Sequence, residues 1–280
     1  MSLFLPNSTF RVQSFGFLYD GTEDAPGNQG LQDQILALRW VQDNIAAFGG
    51  DPNEVTLFGW SAGGISTGFH LISPQSQGLF QRAIIESAAV TNKGRAREKS
   101  LMLDYSKQFA EIFGCYNGST ETNTSVNFVS CLQKMNATLL SVLEQNFVNA
   151  GKGMFEPIFG EDLLPVDPSV AEFTGNKDVI IGIVGNEGSG LLYSQFRDTF
   201  SKVLPPRQIN KQEMIYFLRS LYPKLSLEQV QQLQELYMAN IADFEYSALR
   251  QALVDTRGDI RVQLRKHQHC GQDIQRNSVH

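Results

Sequence analysis

Residues 53–64 read NEVTLFGWSAGG, and this stretch decides how the rest of the chain is interpreted. The short apolar run at residues 55–58 is rich in β-forming side chains and predicts a buried strand of a parallel sheet. A Gly-x-Ser-x-Gly turn follows at residues 59–63, and residues 62–72 predict a helix. A strand, a sharp turn and a helix are the setting in which this motif presents a nucleophile. Ser61 is therefore the candidate catalytic nucleophile.

A serine at such a turn takes a strained backbone angle, so its neighbours must be small. Gly59 and Gly63 meet that requirement. The backbone N–H of Ala62, near the start of the helix, can then stabilise a developing oxyanion. The pentapeptide also occurs by chance, and a glycine-rich turn without chemistry is the alternative reading of the motif alone.

Three further stretches carry a family resemblance: APGNQGLQDQ at residues 25–34, ALRWVQDNI at 37–45 and FGGDP at 48–52. Together with the serine motif they closely resemble the type-B carboxylesterase/cholinesterase family, and further matches extend to about residue 259. The resemblance implies an α/β fold of the α/β-hydrolase type. In that fold a mostly parallel sheet is flanked by helices; here a helical C-terminal part follows, and both ends look incomplete.

The organisation along the chain follows from composition and periodicity. With 280 residues and 42% apolar side chains, one large domain is plausible. Residues 1–260 are interpreted as a partial hydrolase domain, and residues 261–280 as a basic, unmatched tail that is disordered or an alternative end. The patterns predict further strands at residues 15–19, 82–86 and 179–184, the last one buried, and helices at 31–48, 95–113, 211–222, 226–238 and 242–255.

The bulk properties exclude some partners. A net charge of −6 and a pI near 5.3 argue against binding to nucleic acid or an anionic membrane surface. No apolar run approaches the length of a membrane span. The first residues have neither a basic region nor an adequate apolar core, so we predict no signal peptide there. We predict no metal and no cofactor, and the oligomeric state is left open.

Cys115 and Cys131 enclose a polar loop with N-glycosylation sequons at Asn117 and Asn123, and a further sequon at Asn136 follows. Sequons this close to a potential disulfide indicate an exposed, oxidising location, either secreted or in the lumen of the endoplasmic reticulum. The family resemblance also implies a disulfide at this pair. The alternative is two free thiols with sequons that occur by chance.

Residues 185–190, GNEGSG, follow the predicted strand at 179–184 and look like the acid segment of the family. The resemblance makes Glu187 the candidate catalytic acid, at the kind of strand end where sheet folds present functional side chains. Without the resemblance, Glu187 would be an ordinary loop carboxylate.

No histidine is assigned as the catalytic base. His70 resembles a structural histidine of the family, and His267, His269 and His280 lie in the unmatched tail, outside the context that frames the catalytic histidine of the family. The glycine-rich His-Gly-Gly-Gly-type segment, which supplies other oxyanion donors in the family, also has no counterpart at residues 1–10. We therefore expect these 280 residues to be inactive or weak, although a tail histidine acting as base is an open alternative.

The candidate substrate pocket consists of Trp60, Phe155, Gly190 and Leu191. In the cholinesterases the position resembling Trp60 is a glutamate that helps to hold a cationic substrate, and bulky aromatics stand where Gly190 and Leu191 fall. These departures disfavour acetylcholine and favour a general carboxylic ester. A packing role for Trp60 and a core role for Phe155 are the alternatives.

The sequence as a whole indicates a serine carboxylesterase that transfers an acyl group from a small-molecule ester to Ser61 and then to water. The alternative from another class is a non-catalytic, cholinesterase-like adhesion or binding protein. The presence of both Ser61 and Glu187 argues against that class. A third possibility is an inert truncated product.

Overall fold

The computed structural model describes residues 9–88, 90, 94–118, 127–173, 176–200 and 207–258. The chain forms two compact units, the first comprising Met1–Ile181 and the second Gly182–His280. Each unit contains its own clusters of buried apolar side chains. The predicted tail at residues 261–280 lies outside the described residues.

The first unit mixes helices and strands, whereas the described elements of the second, apart from the end of β3 at Gly182, are helices. In chain order the first contains α1 (Gln13–Phe17), α2 (Gln29–Asn44), β1 (Thr56–Trp60), α3 (Ala62–Ile72), β2 (Arg82–Glu86), α4 (Lys99–Ile112), α5 (Phe128–Leu132), α6 (Ala137–Asn149) and β3 (Asp178–Gly182), which ends at the unit boundary. The second contains α7 (Ser189–Gln195), α8 (Arg197–Phe200), α9 (Lys211–Leu221), α10 (Leu227–Met238) and α11 (Tyr246–Gly258). None of the described helices is long and apolar enough to cross a membrane.

The described strands form a sheet in the order β1-β2-β3. β1 and β2 are parallel, in a register that sets Thr56 opposite Arg82 and Trp60 opposite Glu86. Parallel neighbours need a crossover, which α3 provides. The apolar stripe of α2 packs on α3: Leu31 and Ile35 join Phe69 of α3 in one cluster, and Leu38 joins Leu71 in the next.

The predicted burial of β1 and β3 is wrong. Phe58 of β1 is 57% exposed and Ile180 of β3 is 66% exposed. Side chains alternate along a strand, so Leu57 and Gly59 point to the face covered by α3 while Phe58 points away from it. A strand is buried on both sides only where helices cover both faces of a sheet, and among the described residues the second face is largely bare.

The strand predicted at residues 15–19 is also wrong, because α1 occupies most of this region. The buried carboxylate of Glu144, on α6, accepts hydrogen bonds from the backbone N–H of Ser14 at 3.1 Å and from its hydroxyl at 2.6 Å. Such an acceptor satisfies a donor that the first turn of a helix leaves unpaired. It comes from a residue 130 positions away, so the local pattern gave no sign of it.

The remaining local predictions are confirmed with small shifts at the ends. α3 spans the predicted residues, and capping boxes start α9 at Asn210 and α10 at Ser226. α4 starts four residues later than predicted, and α11 starts four residues later and ends three residues later. Cys115 and Cys131 form a disulfide with their Cα atoms 5.5 Å apart, as the resemblance implied.

A buried histidine ties α2 to α3. His70 is 1% exposed, its Nδ1 lies 2.8 Å from the hydroxyl of Ser76, and its Nε2 lies 2.8 Å from Oε1 of Gln34. The Gln34 oxygen can only accept, so Nε2 donates and Nδ1 accepts, which is the arrangement of a neutral imidazole. Burial lowers the pKa of His70 from 6.5 to about 4.

α3 lies very close to the sheet because glycines face it. A Cβ at Gly64 would stand 2.7 Å from the Cβ of Ala88 and 3.0 Å from the carbonyl oxygen of Gly59. A Cβ at Gly68 would stand 2.6 Å from the Cβ of Val90. A Cβ at Gly63, the residue before Gly64 on the same helix, would meet no described atom within 4 Å.

This contrast gives a matched pair of substitutions. We expect Gly64→Ala to lower the free energy of unfolding by about 1–3 kcal/mol, because the methyl group must push the helix from the sheet. Gly63→Ala should leave it unchanged or raise it by up to about 1 kcal/mol, since alanine favours a helix. Urea unfolding followed by circular dichroism measures both. Equal stability of the two variants would contradict the close approach of α3 to the sheet.

The buried His70 predicts a pH dependence of stability. Its folded pKa lies below its unfolded pKa, so the unfolded chain binds more protons between pH 6.5 and about 4. The stabilising contribution is complete above pH 6.5 and is lost as the pH falls to about 4, with a total on the order of 3 kcal/mol.

We therefore expect His70→Gln to flatten the pH dependence of unfolding in this window. The measurement is the free energy of unfolding in urea at several pH values from 4.5 to 7, taken as the difference between the parent chain and the variant, which cancels all other titrating groups. A difference that is constant with pH would show that His70 titrates normally in the folded chain.

Candidate active site

Ser61 lies at the turn between β1 and α3 with φ 54° and ψ −117°, a backbone conformation that non-glycine residues rarely adopt. Its N–H donates to the carbonyl oxygen of Glu86 at 2.9 Å, and its own carbonyl oxygen accepts from the N–H of Ile65 at 3.0 Å. The residue is exposed to solvent. Strain of this kind persists only where surrounding bonds hold it, and it is typical of functional sites. The turn therefore has the geometry of a nucleophile elbow, with the serine presented outward.

The two glycines of the motif differ in what the turn requires of them. A Cβ at Gly59 would stand 2.2 Å from the carbonyl oxygen of Gly63, so no side chain fits there. The expectation that Gly63 must be small is not met, because a Cβ there would meet nothing within 4 Å in the described part of the chain. The tight positions on the helix are Gly64 and Gly68, which are not part of the Gly-x-Ser-x-Gly motif and were not predicted. Their spacing of four residues, which puts them on one helix face, was the available signal.

Ala62 is the first residue of α3, and the first bond that closes this helix runs from the N–H of Ile65 to Ser61. The N–H groups of a first helical turn have no partner within the helix. The Ala62 N–H is thus open to an acceptor beside Ser61, at the end of the helix where the dipole favours negative charge. Its role as an oxyanion donor stays a prediction.

The predicted pocket residues fall in different environments. Trp60 is largely exposed at the end of β1, next to Ser61. Phe155 is 5% exposed, and its ring centroid lies 5.3 Å from that of Phe109 in the core of the first unit. This position corresponds to the core alternative for Phe155 rather than to a pocket wall. Gly190 and Leu191 belong to α7, in the second unit.

Glu187 lies in the turn between β3 and α7, also in the second unit, and is partly exposed. One of its carboxylate oxygens, Oε1, accepts a hydrogen bond from the backbone N–H of Val184 at 2.9 Å. The next residue, Gly188, is buried. Glu187 therefore follows a strand of the sheet, as the sequence predicted, and its pairing with Ser61 stays a prediction.

His70 cannot act as the base while it holds its present contacts. It is the only histidine among the described residues, both of its ring nitrogens are engaged, and burial lowers its pKa to about 4. His267, His269 and His280 lie outside the described residues.

Two open grooves in the first unit, of about 490 Å³ and 560 Å³, contain none of the predicted site residues. The first is lined by Thr9, Phe10, Arg11, Asp33, Leu36, Ala37 and Trp40, and the second by Ala96, Arg97, Glu98, Ser100, Leu101, Phe159 and Asp167. Within the described ranges there is no group of three or more histidine, cysteine, aspartate or glutamate side chains placed to hold a metal ion.

Two of the three predicted glycosylation sites are exposed. Asn117 lies two residues after the disulfide-bonded Cys115. Asn136 caps α6, with its side-chain oxygen accepting from the N–H of Leu139 at 3.1 Å. Asn123 lies outside the described residues.

Comparison with known proteins finds a matching family and similar proteins from several animals. A sequence profile of the carboxylesterase family matches residues 6–278. Cholinesterase 1 of Branchiostoma lanceolatum is 40% identical over 195 residues, covering 64% of this chain and 52% of the relative. Acetylcholinesterase-1 of Trittame loki is 33% identical over 265 residues, covering 89% of this chain and 46% of the relative. Acetylcholinesterase of Bungarus fasciatus is 38% identical over 205 residues, covering 68% of this chain and 32% of the relative.

The chain spans about half or less of the length of these curated relatives. The family match nevertheless covers almost all of its residues, and the family implies the α/β-hydrolase fold. The parallel pairing of β1 and β2, the crossover helix α3 and the serine turn between them agree with that fold. The chain belongs to the carboxylesterase family.

Proposed function

We propose that this chain is part of a serine carboxylic ester hydrolase in which Ser61 is acylated and then released by water. The observation that carries the proposal is the positive φ of Ser61 at an exposed turn between a parallel strand and a helix. That conformation has a cost for a residue with a side chain, and a glycine would adopt it at this turn without strain, so the presence of a serine here needs an explanation. It is explained if the turn serves to present the hydroxyl.

The reaction assigns a role to each named group. The Ser61 oxygen attacks the ester carbonyl while a base takes its proton, and the Ala62 N–H donates to the oxyanion that forms. Glu187 orients the base, whose protonated form returns the proton to the leaving alcohol. Water then attacks the carbonyl carbon of the acyl–serine in the same way. This step releases the carboxylic acid product and restores the Ser61 hydroxyl.

The base and the further oxyanion donors have no candidates among the described residues. Loss of a triad histidine costs on the order of 10⁶ in turnover in a comparable serine hydrolase, and each missing oxyanion donor costs on the order of 10²–10³. The 280 residues are accordingly proposed to be inactive or weak as they stand.

The substrate class follows from the residue that precedes the serine. Trp60 offers an exposed apolar face with no charge. A neutral carboxylic ester suits such surroundings better than a cationic choline ester, although an indole face can also contact a cation. We propose a general carboxylic ester as the substrate.

The proposal predicts where a serine-directed reagent reacts. We expect slow labelling of the purified chain by a fluorophosphonate, accelerated by added imidazole, which can act as the base that the described residues do not supply. Ser61→Ala should abolish the labelling. Ser87→Ala is the matched control, because Ser87 directly follows β2 and also has a positive φ, of 53°.

Labelling is measured by mass spectrometry of the intact chain and its peptides, and turnover by release of p-nitrophenol from its acetate. Absence of labelling at every imidazole concentration, or unchanged labelling in Ser61→Ala, would overturn the hydrolase proposal. Nanomolar binding to a cell-surface protein together with that result would favour the adhesion alternative.

We further propose that the protein passes through the secretory pathway, which the disulfide and the exposed sequons at Asn117 and Asn136 support. When the chain is produced with a secretory signal in eukaryotic cells, we expect Asn117→Gln and Asn136→Gln each to remove one glycan. Gel mobility before and after glycosidase treatment gives the count. Asn149→Gln, an exposed asparagine on α6 without a sequon, should leave the mobility unchanged; wild-type mobility in both sequon variants would contradict the proposal.

A further inference from the structure

The turn that carries Glu187 has few fixed points of its own. It joins β3 to α7, and its local bonds are the one from the Val184 N–H to Glu187 Oε1 and one from the Ser189 N–H to the Asn186 carbonyl oxygen, 3.0 Å long. A partly exposed turn of this length needs support from elsewhere to hold a side chain in one place. The support comes from the last turns of α11, about seventy positions later in the chain.

Gly188 rests directly on α11. A Cβ at Gly188 would stand 2.2 Å from the carbonyl oxygen of Val254 and 2.9 Å from the Cβ of Arg257. A Cβ at Gly258 would in turn stand 3.6 Å from the Cβ of Glu187. The two glycines allow the two backbones to meet, so the turn lies on the helix with no side chain between them.

A hydrogen bond between side chains also holds the Glu187 turn against α11. The side-chain amide of Gln251 on α11 donates to the side-chain oxygen of Asn186 at 2.8 Å. Asn186 immediately precedes Glu187, and Gly188 immediately follows it. The acid is thus held by α11 on both sides.

The end of α11 is itself well anchored. Leu253 and Val254 are buried in the core of the second unit. The hydroxyl of Tyr222, just after α9, donates to the carbonyl oxygen of Thr256 at 3.1 Å, and the guanidinium of the buried Arg257 lies 5.7 Å from the centre of the Tyr222 ring. These contacts make the C-terminal end of α11 a rigid support.

We infer that the C-terminal end of α11 is a platform that positions Glu187, and that Gly188 is the positioning residue, because only a residue without a side chain lets the turn reach the platform. The inference rests on the proposed function for the role of Glu187 as the acid. The platform itself is tested without the ester reaction, so the two can fail separately.

The readout is the exchange rate of the Val184 amide hydrogen, followed by NMR, because its bond to Glu187 Oε1 reports the position of the acid. Glu187→Ala removes the acceptor and calibrates full loss of protection. We expect Gly188→Ala to raise the Val184 exchange rate as much as Glu187→Ala does. Gly185→Ala is the matched control in the same turn, where a Cβ would meet nothing within 4 Å, and it should keep the parent rate.

A merely structural role for Gly188 predicts a different pattern. General destabilisation would speed exchange at core amides such as that of Leu253 as well, whereas loss of the platform contact affects Val184 and leaves Leu253 protected. Adding Gly188→Ala to Glu187→Ala should produce no further change at Val184, because both remove the same bond.

Should Gly188→Ala fail to fold, Gln251→Leu decides the matter. Loss of its bond to Asn186 should speed Val184 exchange about 2- to 12-fold, the range expected for one hydrogen bond. Gln232→Leu, on the exposed face of α10, is its control. Parent-like exchange at Val184 in Gly188→Ala or in Gln251→Leu would overturn the platform. If Val184 exchange changes in the variants as expected but Ser61 is never labelled by the fluorophosphonate, the platform is supported and the proposed hydrolase function is rejected.

Discussion

The close approach of α3 to β1 is the constraint on which the first unit depends. The carbonyl oxygen of Gly63 occupies the space where a side chain at position 59 would lie, so strand and helix meet backbone to backbone. A chain that reverses this sharply must pass through an unusual backbone conformation, and Ser61 takes it. The packing of α2 on α3, and of α3 on the sheet, then follows from where the turn sets the helix.

Buried polar groups also connect elements of the first unit, and two of them, His70 and Glu144, respond to pH in opposite directions. His70 is buried as a neutral group, so acid costs stability. Burial raises the pKa of the Glu144 carboxyl above its usual value, against the hydrogen bonds from Ser14, which act to lower it. The folded chain therefore binds a proton at Glu144 more readily than the unfolded chain does. Stability from this group falls as the pH rises from its unfolded to its folded pKa. The two effects partly offset each other at mildly acidic pH.

Local sequence patterns predicted the elements whose causes are local. The Gly-x-Ser-x-Gly turn, the helix after it, and α9 and α10 with the caps that start them each depend on residues a few positions apart, and the structure has these elements where they were predicted. The failures have distant causes. α1 depends on Glu144, and the exposed faces of β1 and β3 depend on which surfaces the helices cover. Alternation within a five-residue strand cannot show whether its second face is covered.

The two candidate catalytic groups also differ in whether local or distant residues hold them. Both follow a strand and precede a helix, and beside each of them a glycine meets a carbonyl oxygen that leaves no room for a side chain: Gly63 O against Gly59, and Val254 O against Gly188. For Ser61 that carbonyl belongs to the helix that follows directly, so this contact lies within the motif itself, and the neighbouring strand β2 adds a bond from the Ser61 N–H to Glu86. For Glu187 the corresponding carbonyl belongs to α11, so the position of the acid depends on the chain as far as Gly258. The serine could therefore be recognised from its own motif, whereas the acid could be recognised only through a family resemblance. The same difference implies that the serine turn tolerates changes elsewhere in the chain better than the acid turn does.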